Sequence, residues 1–242
     1  MTGTLLNVIT ILVGGGLGLL FGSRVPERLK QTVVAGMGLF TAAMGLQMFF
    51  KSSNQLIVLG SLLIGTLLGE WWRIEDGIQA LGRFLEARFA SGPAADTEPQ
   101  AGGNSRFVRG FLTASLLFCI GPMAILGSIS DGLRGDYSLL AVKSVLDGFA
   151  SLAFASTLGI GVLFSIVPVF VYQGGISLMG GGLSAILTDP MIAEMTATGG
   201  VILFGLALSS LLEIKPIRVG NFLPALAIAP LIVWLLTQLK VM

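Results

Sequence analysis

What most constrains this chain is where its charges are not. Apolar runs about as long as a bilayer is thick follow one another from end to end, with the charged residues between them. Thr4 to Gly22 is the first, closed by Arg24, Glu27, Arg28 and Lys30. Val33 to Phe50 and Leu56 to Trp72 follow, parted by the polar turn Lys51, Ser52, Ser53 and Asn54. A fourth runs from Phe111 to about Ile129, and residues 138–187 then hold 50 residues whose only charges are Lys143 and Asp147. Three spans need roughly 60 residues, so that length suits two, meeting near Thr157 to Gly161. Met191 to Leu212 and Phe222 to Leu239 complete eight. Charged residues make up 11% of the chain, against about a quarter in soluble domains. The expected fold class is therefore an all-α integral membrane protein of about eight transmembrane helices.

The same scarcity excludes whole classes of function. The chain has no histidine and one cysteine, Cys119, so neither the usual zinc sites nor an internal disulfide is expected. No Ser-His pair, HExxH motif or phosphate loop is present, and neither enzyme activity, a cofactor nor a bound metal is predicted. A net charge of +1 without a basic cluster gives no footprint for nucleic acid. The partners expected are the lipid bilayer and a small ion or solute, and glycine-spaced helix faces permit a homo-oligomer. The N-terminus lacks a basic leader and cleavage site, so the first run reads as a retained span.

Lysine and arginine set the orientation, because they favour cytoplasmic loops. With the N-terminus outside, the inner loops carry Arg24, Arg28, Lys30, Arg73, Arg83, Arg88, Arg106, Arg109, Lys215 and Arg218. The outside keeps Lys51, Arg134, Lys143 and Lys240. Between Arg73 and Phe89, Ile74, Ile78, Leu81 and Leu85 recur at helical spacing, which predicts an amphipathic helix on the membrane surface. Residues 91–106, rich in Gly, Pro and small polar types, read as a flexible cytoplasmic linker.

An internal repeat organises the rest. The run beginning at Asn7 lies on the run beginning at Gln173, pairing Gly14, Gly15 and Gly16 with Gly180, Gly181 and Gly182. With a small gap the match continues through Pro26 and Pro190, Gly36 and Gly200, and Asn54 and Asn221. Two spans lie between the copies, so they cross the membrane in opposite directions. The organisation expected is a first repeat with its surface helix (1–90), the linker (91–106), two central spans (107–158) and an inverted second repeat (159–242). Inverted repeats around a broken helix are the pattern of secondary transporters. Chance likeness between glycine-rich apolar runs is the alternative.

The segment from Phe118 to Phe149 concentrates the chemistry. Gly121 and Pro122 interrupt the fourth span, and Pro122 suits the first turn of a second half-helix. Asp147 and Lys143, four residues apart in the fifth span, can pair on one face. They form either a structural ion pair or a cation or proton site in which Lys143 competes for Asp147. Asp131, Ser128 and Ser130 either line an outer vestibule or cap a turn; Asp136 reads as loop. Asn7 and Gln173 occupy equivalent places in the two copies, either offering carbonyl oxygens to a substrate or serving as helix glue. The two triple glycines serve close packing or expose backbone carbonyls.

The run CIGPMAILGSISDG, with KSVLDGF, LAFASTLG and the N-terminal GTLLNVITILVGGGLG, resembles the YqgA and YdfK family of bacterial inner-membrane proteins. The resemblance covers nearly the whole chain. It implies a multi-span membrane domain of unestablished activity, with suggestions of a sodium channel or pump and a link to biofilm formation, and it transfers no site residues. The expectation is transport of a small solute or ion, coupled to sodium ions or protons. An ion channel and a sensory or scaffold protein acting through the linker and surface helix are the alternatives.

Overall fold

The computed structural model describes residues 1–22, 24, 26–89 and 105–239. Most of the linker therefore lies outside the described residues. The described chain is helical: α1 (Thr2–Gly22), α2 (Glu27–Phe49), α3 (Gln55–Trp72), α4 (Ile74–Phe89), α5 (Arg106–Cys119), α6 (Pro122–Arg134), α7 (Ser138–Leu158), α8 (Ile166–Leu178), α9 (Gly180–Ile186), α10 (Asp189–Leu206) and α11 (Ala225–Gln238). A 3-10 turn (Ile160–Ser165) leads into α8, a π turn (Ala207–Leu211) ends α10, and a second 3-10 turn (Val219–Phe222) precedes α11. Among the described residues, seven helices are long and apolar enough to cross a membrane, or eight if the bent pair α5 and α6 is one span.

Helix direction decides between a broken span and a re-entrant loop. Gly3 packs on Leu140, Gly14 on Gly148, Gly18 on Leu152 and Gly22 on Ser156. Both numbers rise together, so α1 and α7 run parallel. At one end Arg106, in the first turn of α5, donates to the Thr157 carbonyl near the end of α7. At the other, Asp131 on α6 accepts from the Gly3 amide at 3.1 Å. The pair thus runs once from one end of the bundle to the other, bent by 61°.

Two seams hold the outer helices. Gly45 of α2 meets Gly200 of α10, and Gly65 and Gly69 of α3 meet Ala225 and Asn221. Both pairs are antiparallel, which brings the first and last described residues to one face, the terminal face. Arg24, Arg28, Arg73, Arg109 and Arg218 lie at the other, the basic face. Glycine normally weakens a helix by about 1 kcal/mol. Here a methyl on Gly14 would overlap the Gly148 carbonyl, so the missing side chain is what admits the neighbouring backbone. Ile11, Ala114, Phe118, Phe154 and Val162 fill the centre.

Several boundaries differ from the sequence reading. The long run between residues 138 and 187 breaks first at Gly159, inside the junction expected from Thr157 to Gly161, where a φ of +82° suits glycine. It breaks again at Met179, so α9 is a separate short helix beyond the sixth span. Helix α4 lays Leu85 and Ile78 on Phe107, Val108 and Phe111, while Phe84 and Phe89 are exposed. Glu194 is inside α10 and buried. Its carboxylate accepts from Ser52 Oγ at 2.7 Å, Ser53 N at 2.8 Å and Asn54 N at 2.9 Å.

Candidate functional site

Three helices bring four polar side chains together. Lys143 and Asp147, one turn apart on α7, form an ion pair. Asn7 on α1 donates through Nδ2 to Asp147 Oδ2 at 2.9 Å and faces Gln173 Oε1 on α8 at 3.3 Å. Asn7 and Gln173 are fully buried, and Lys143 and Asp147 are only 6% and 8% exposed. The ammonium group also stands 5.9 Å from the ring centroid of Phe118, within cation-π range. A charge pair this enclosed is favourable only if its remaining hydrogen-bonding capacity is met, and Asn7 meets part of it.

Helix periodicity extends the polar surface toward the terminal face. Thr4 lies three residues before Asn7 on α1, Ser177 four after Gln173 on α8, and Ser128 three before Asp131 on α6. All are buried. Asn7 Oδ1, Thr4 Oγ1, Ser128 Oγ, Ser177 Oγ and Asp131 Oδ1 have no protein hydrogen-bond partner among the described residues. Buried polar atoms are nearly always bonded, so these five are groups near the charge pair with hydrogen-bonding capacity left over. Gly132 on α6 meets the Ser177 carbonyl, which draws α6 and α8 together around it.

The other sequence-selected residues fall around this cluster. Ser130 is half-buried on α6, and Asp136 lies in the loop before α7, bonded to the Ser138 hydroxyl and amide. Gly121 precedes α6, with Pro122 in its first turn. Gly14, Gly15 and Gly16 lie in an unbroken helix: Gly14 and Gly15 face α7, and Gly16 meets open space. Their carbonyls are not unwound toward a ligand. Gly180 contacts the Ile129 carbonyl, Gly182 meets open space, and Gly181 belongs to the α9 backbone. No group of three or more His, Cys, Asp or Glu side chains suited to a metal occurs among the described residues.

Sequence reasoning missed Thr4, Ser177 and Glu194. The first two carry a usable signal, since each repeats the helical spacing of a neighbouring amide. Glu194 is an acid five residues inside an apolar helix, a costly position that calls for donors.

Seven or eight candidate membrane-crossing helices among the described residues define a polytopic membrane protein. The chain belongs to the family described as "Protein of unknown function (DUF554)", whose model matches residues 2–234. It is 30% identical over 241 residues to the uncharacterized membrane protein YdfK of Bacillus subtilis (strain 168), covering 98% of this chain and 97% of the relative. It is also 30% identical over 230 residues to the uncharacterized protein YqgA of Escherichia coli (strain K12), covering 94% of each. No solved structure matches.

Proposed function

We propose that the chain is a membrane transporter of a small solute or ion, not an enzyme, driven by sodium ions or protons. It works in a bacterial inner membrane, with the basic face in the cytoplasm as the positive-inside rule requires. The observation that carries this reading is the buried Lys143 and Asp147 pair, held by Asn7 beside the break between α5 and α6. Ionisable groups at membrane depth are default functional candidates. Asp147 is the carboxylate that a cation or proton would take, and Lys143 is the internal cation it would displace.

The contact between Asn7 and Gln173 supports the inverted repeat. The sequence alignment equates these residues, and groups equated across an in-plane pseudo-twofold axis can meet only near that axis. Transporter sites of this architecture lie there.

The test is charge movement in proteoliposomes on a solid-supported membrane, with sodium and pH jumps and a panel of small metabolites. The variant compared is Lys143→Met/Asp147→Asn, which removes both charges together. A saturable current lost in the folded double variant supports the reading. A current that the variant keeps removes the pair from the mechanism. Absence of both current and tracer uptake refutes transport, and unitary currents would make the protein a channel.

A further inference from the structure

The basic face holds a cleft of about 530 Å³ that the polar cluster does not use. Its volume falls in the roughly 300–1,000 Å³ range of small-molecule sites. Leu112, Leu116 and Leu206 line its deep part, and all three are buried. Arg109, Arg218, Asp76 and Glu213 line it nearer the surface. Leu116 lies two turns along α5 from Arg109, about 10 Å deeper. The cleft is thus apolar at depth and doubly charged at its mouth.

The mouth is built by irregular backbone. The π turn Ala207–Leu211 ends α10, and such turns recur at functional sites. Arg109 grips the freed Ser210 carbonyl through Nε at 3.0 Å and Nη2 at 2.6 Å, and pairs with Glu213. Glu213 has a φ of +52°, a left-handed conformation that strains a non-glycine residue by about 1–3 kcal/mol. Arg218 remains largely exposed, 3.4 Å from Glu70.

We propose that this cleft binds a small zwitterion with an apolar tail, of the neutral α-amino acid class. The solute carboxylate meets the guanidinium side, Arg218 first. Its ammonium meets Asp76 and Glu213, and its tail enters toward Leu112, Leu116 and Leu206. Polyanions fit poorly, because Glu75, Asp76 and Glu213 outnumber the two arginines in the lining. A purely apolar ligand would leave the charged mouth unused, and a bare cation would leave the arginines and the apolar floor unused. The claim of binding stands on the cleft; its meaning as the inner cargo site rests on the transport reading.

The experiment is calorimetric titration of the full chain in nanodiscs with leucine, methionine and phenylalanine. Leucinamide, which lacks the carboxylate, and 4-methylpentanoate, which lacks the ammonium, are the controls. At least one amino acid is expected to bind saturably, and each control to bind roughly tenfold or more weakly, since each loses charge-assisted hydrogen bonds. Arg218→Gln, at an exposed position, should weaken amino-acid binding by a similar factor while leaving the thermal midpoint unchanged. Leu116→Trp should block binding by filling the floor.

Absence of binding by all three amino acids overturns the proposal. So does binding of both controls within a factor of about two of leucine, because the charge contacts carry the expected tenfold difference. Binding without any current or uptake would refute the transporter and leave the site standing. Uptake of another solute without amino-acid binding would refute the site alone.

Discussion

Removing one partner of the Lys143 and Asp147 pair should be far worse than removing both. In Asp147→Asn the Lys143 ammonium stays in a setting where it is only 6% exposed, with amides and the Phe118 ring for company. Breaking a buried pair in this way costs about 3–5 kcal/mol. At about 2–4 °C per kcal/mol for a chain of this size, the thermal midpoint should fall by roughly 6–20 °C. Lys143→Met should behave alike, leaving the carboxylate with the Asn7 amide. The double variant buries no charge, and its methionine can pack on Phe118, so it should stay within about 1 kcal/mol of the parent. The assay is a double-mutant cycle by thermal unfolding in detergent, followed by the emission of the three tryptophans. Single variants that each shift the midpoint by less than about 2 °C, or a double variant that costs their sum, would refute the coupling. Asn7→Leu calibrates the scale: an intramembrane hydrogen bond averages about 0.6 kcal/mol, so its loss should be minor beside that of the charge.

Other consequences of the geometry are open to test. Gly14→Ala should cost about 1–3 kcal/mol, because the methyl meets the Gly148 carbonyl, whereas Gly16→Ala, facing open space, should be neutral or gain up to about 1 kcal/mol; unfolding midpoints for the two decide it. Glu194→Ala removes the acceptor of Ser53 and Asn54, so amide exchange in the loop between α2 and α3 should accelerate while that of α5 does not. Hydrogen bonds from the Ser138 hydroxyl and amide hold the Asp136 carboxyl below the usual aspartate range. Its folded pKa is therefore depressed: the contribution to stability is present above the unfolded pKa and lost as pH falls through the folded one. An NMR titration of the Asp136 carboxyl should show that low pKa, and Ser138→Ala should raise it.

Most of the fold was legible because bilayer thickness sets run length, and charge is too costly inside to blur the limits. Lys143 and Asp147 were legible as a pair because both lie on one helix, four residues apart. Asn7 and Gln173 could be linked only through the repeat, and nothing in their local sequence says that they touch. Glu194 was hidden for another reason: its donors are the backbone amides of a loop some 140 residues away. The cleft was illegible altogether. Its wall draws on α4, α5, the end of α10 and the turn before α11, and the π turn that shapes its mouth leaves no mark in an apolar helical run.

The cleft and the charge pair lie on opposite sides of one thin layer. From Leu116, at depth in the cleft, to Phe118, beside the Lys143 ammonium, is two residues along α5, and the helix ends one residue later at Cys119. Ile120 still donates its amide to the Leu116 carbonyl, and the helical run is interrupted just past this layer at Gly121. Helix α6 then continues toward the terminal face at a different angle, carrying Ser128 and Asp131. A rigid α5 with α6 would tie the two surfaces together mechanically. With the break at Gly121, α6 packs against α1 and α8 through Asp131 and Gly132, while Arg109 ties α5 to the end of α10. In the transport reading, the short Leu116 and Phe118 barrier is where access would change sides, next to the break between α5 and α6.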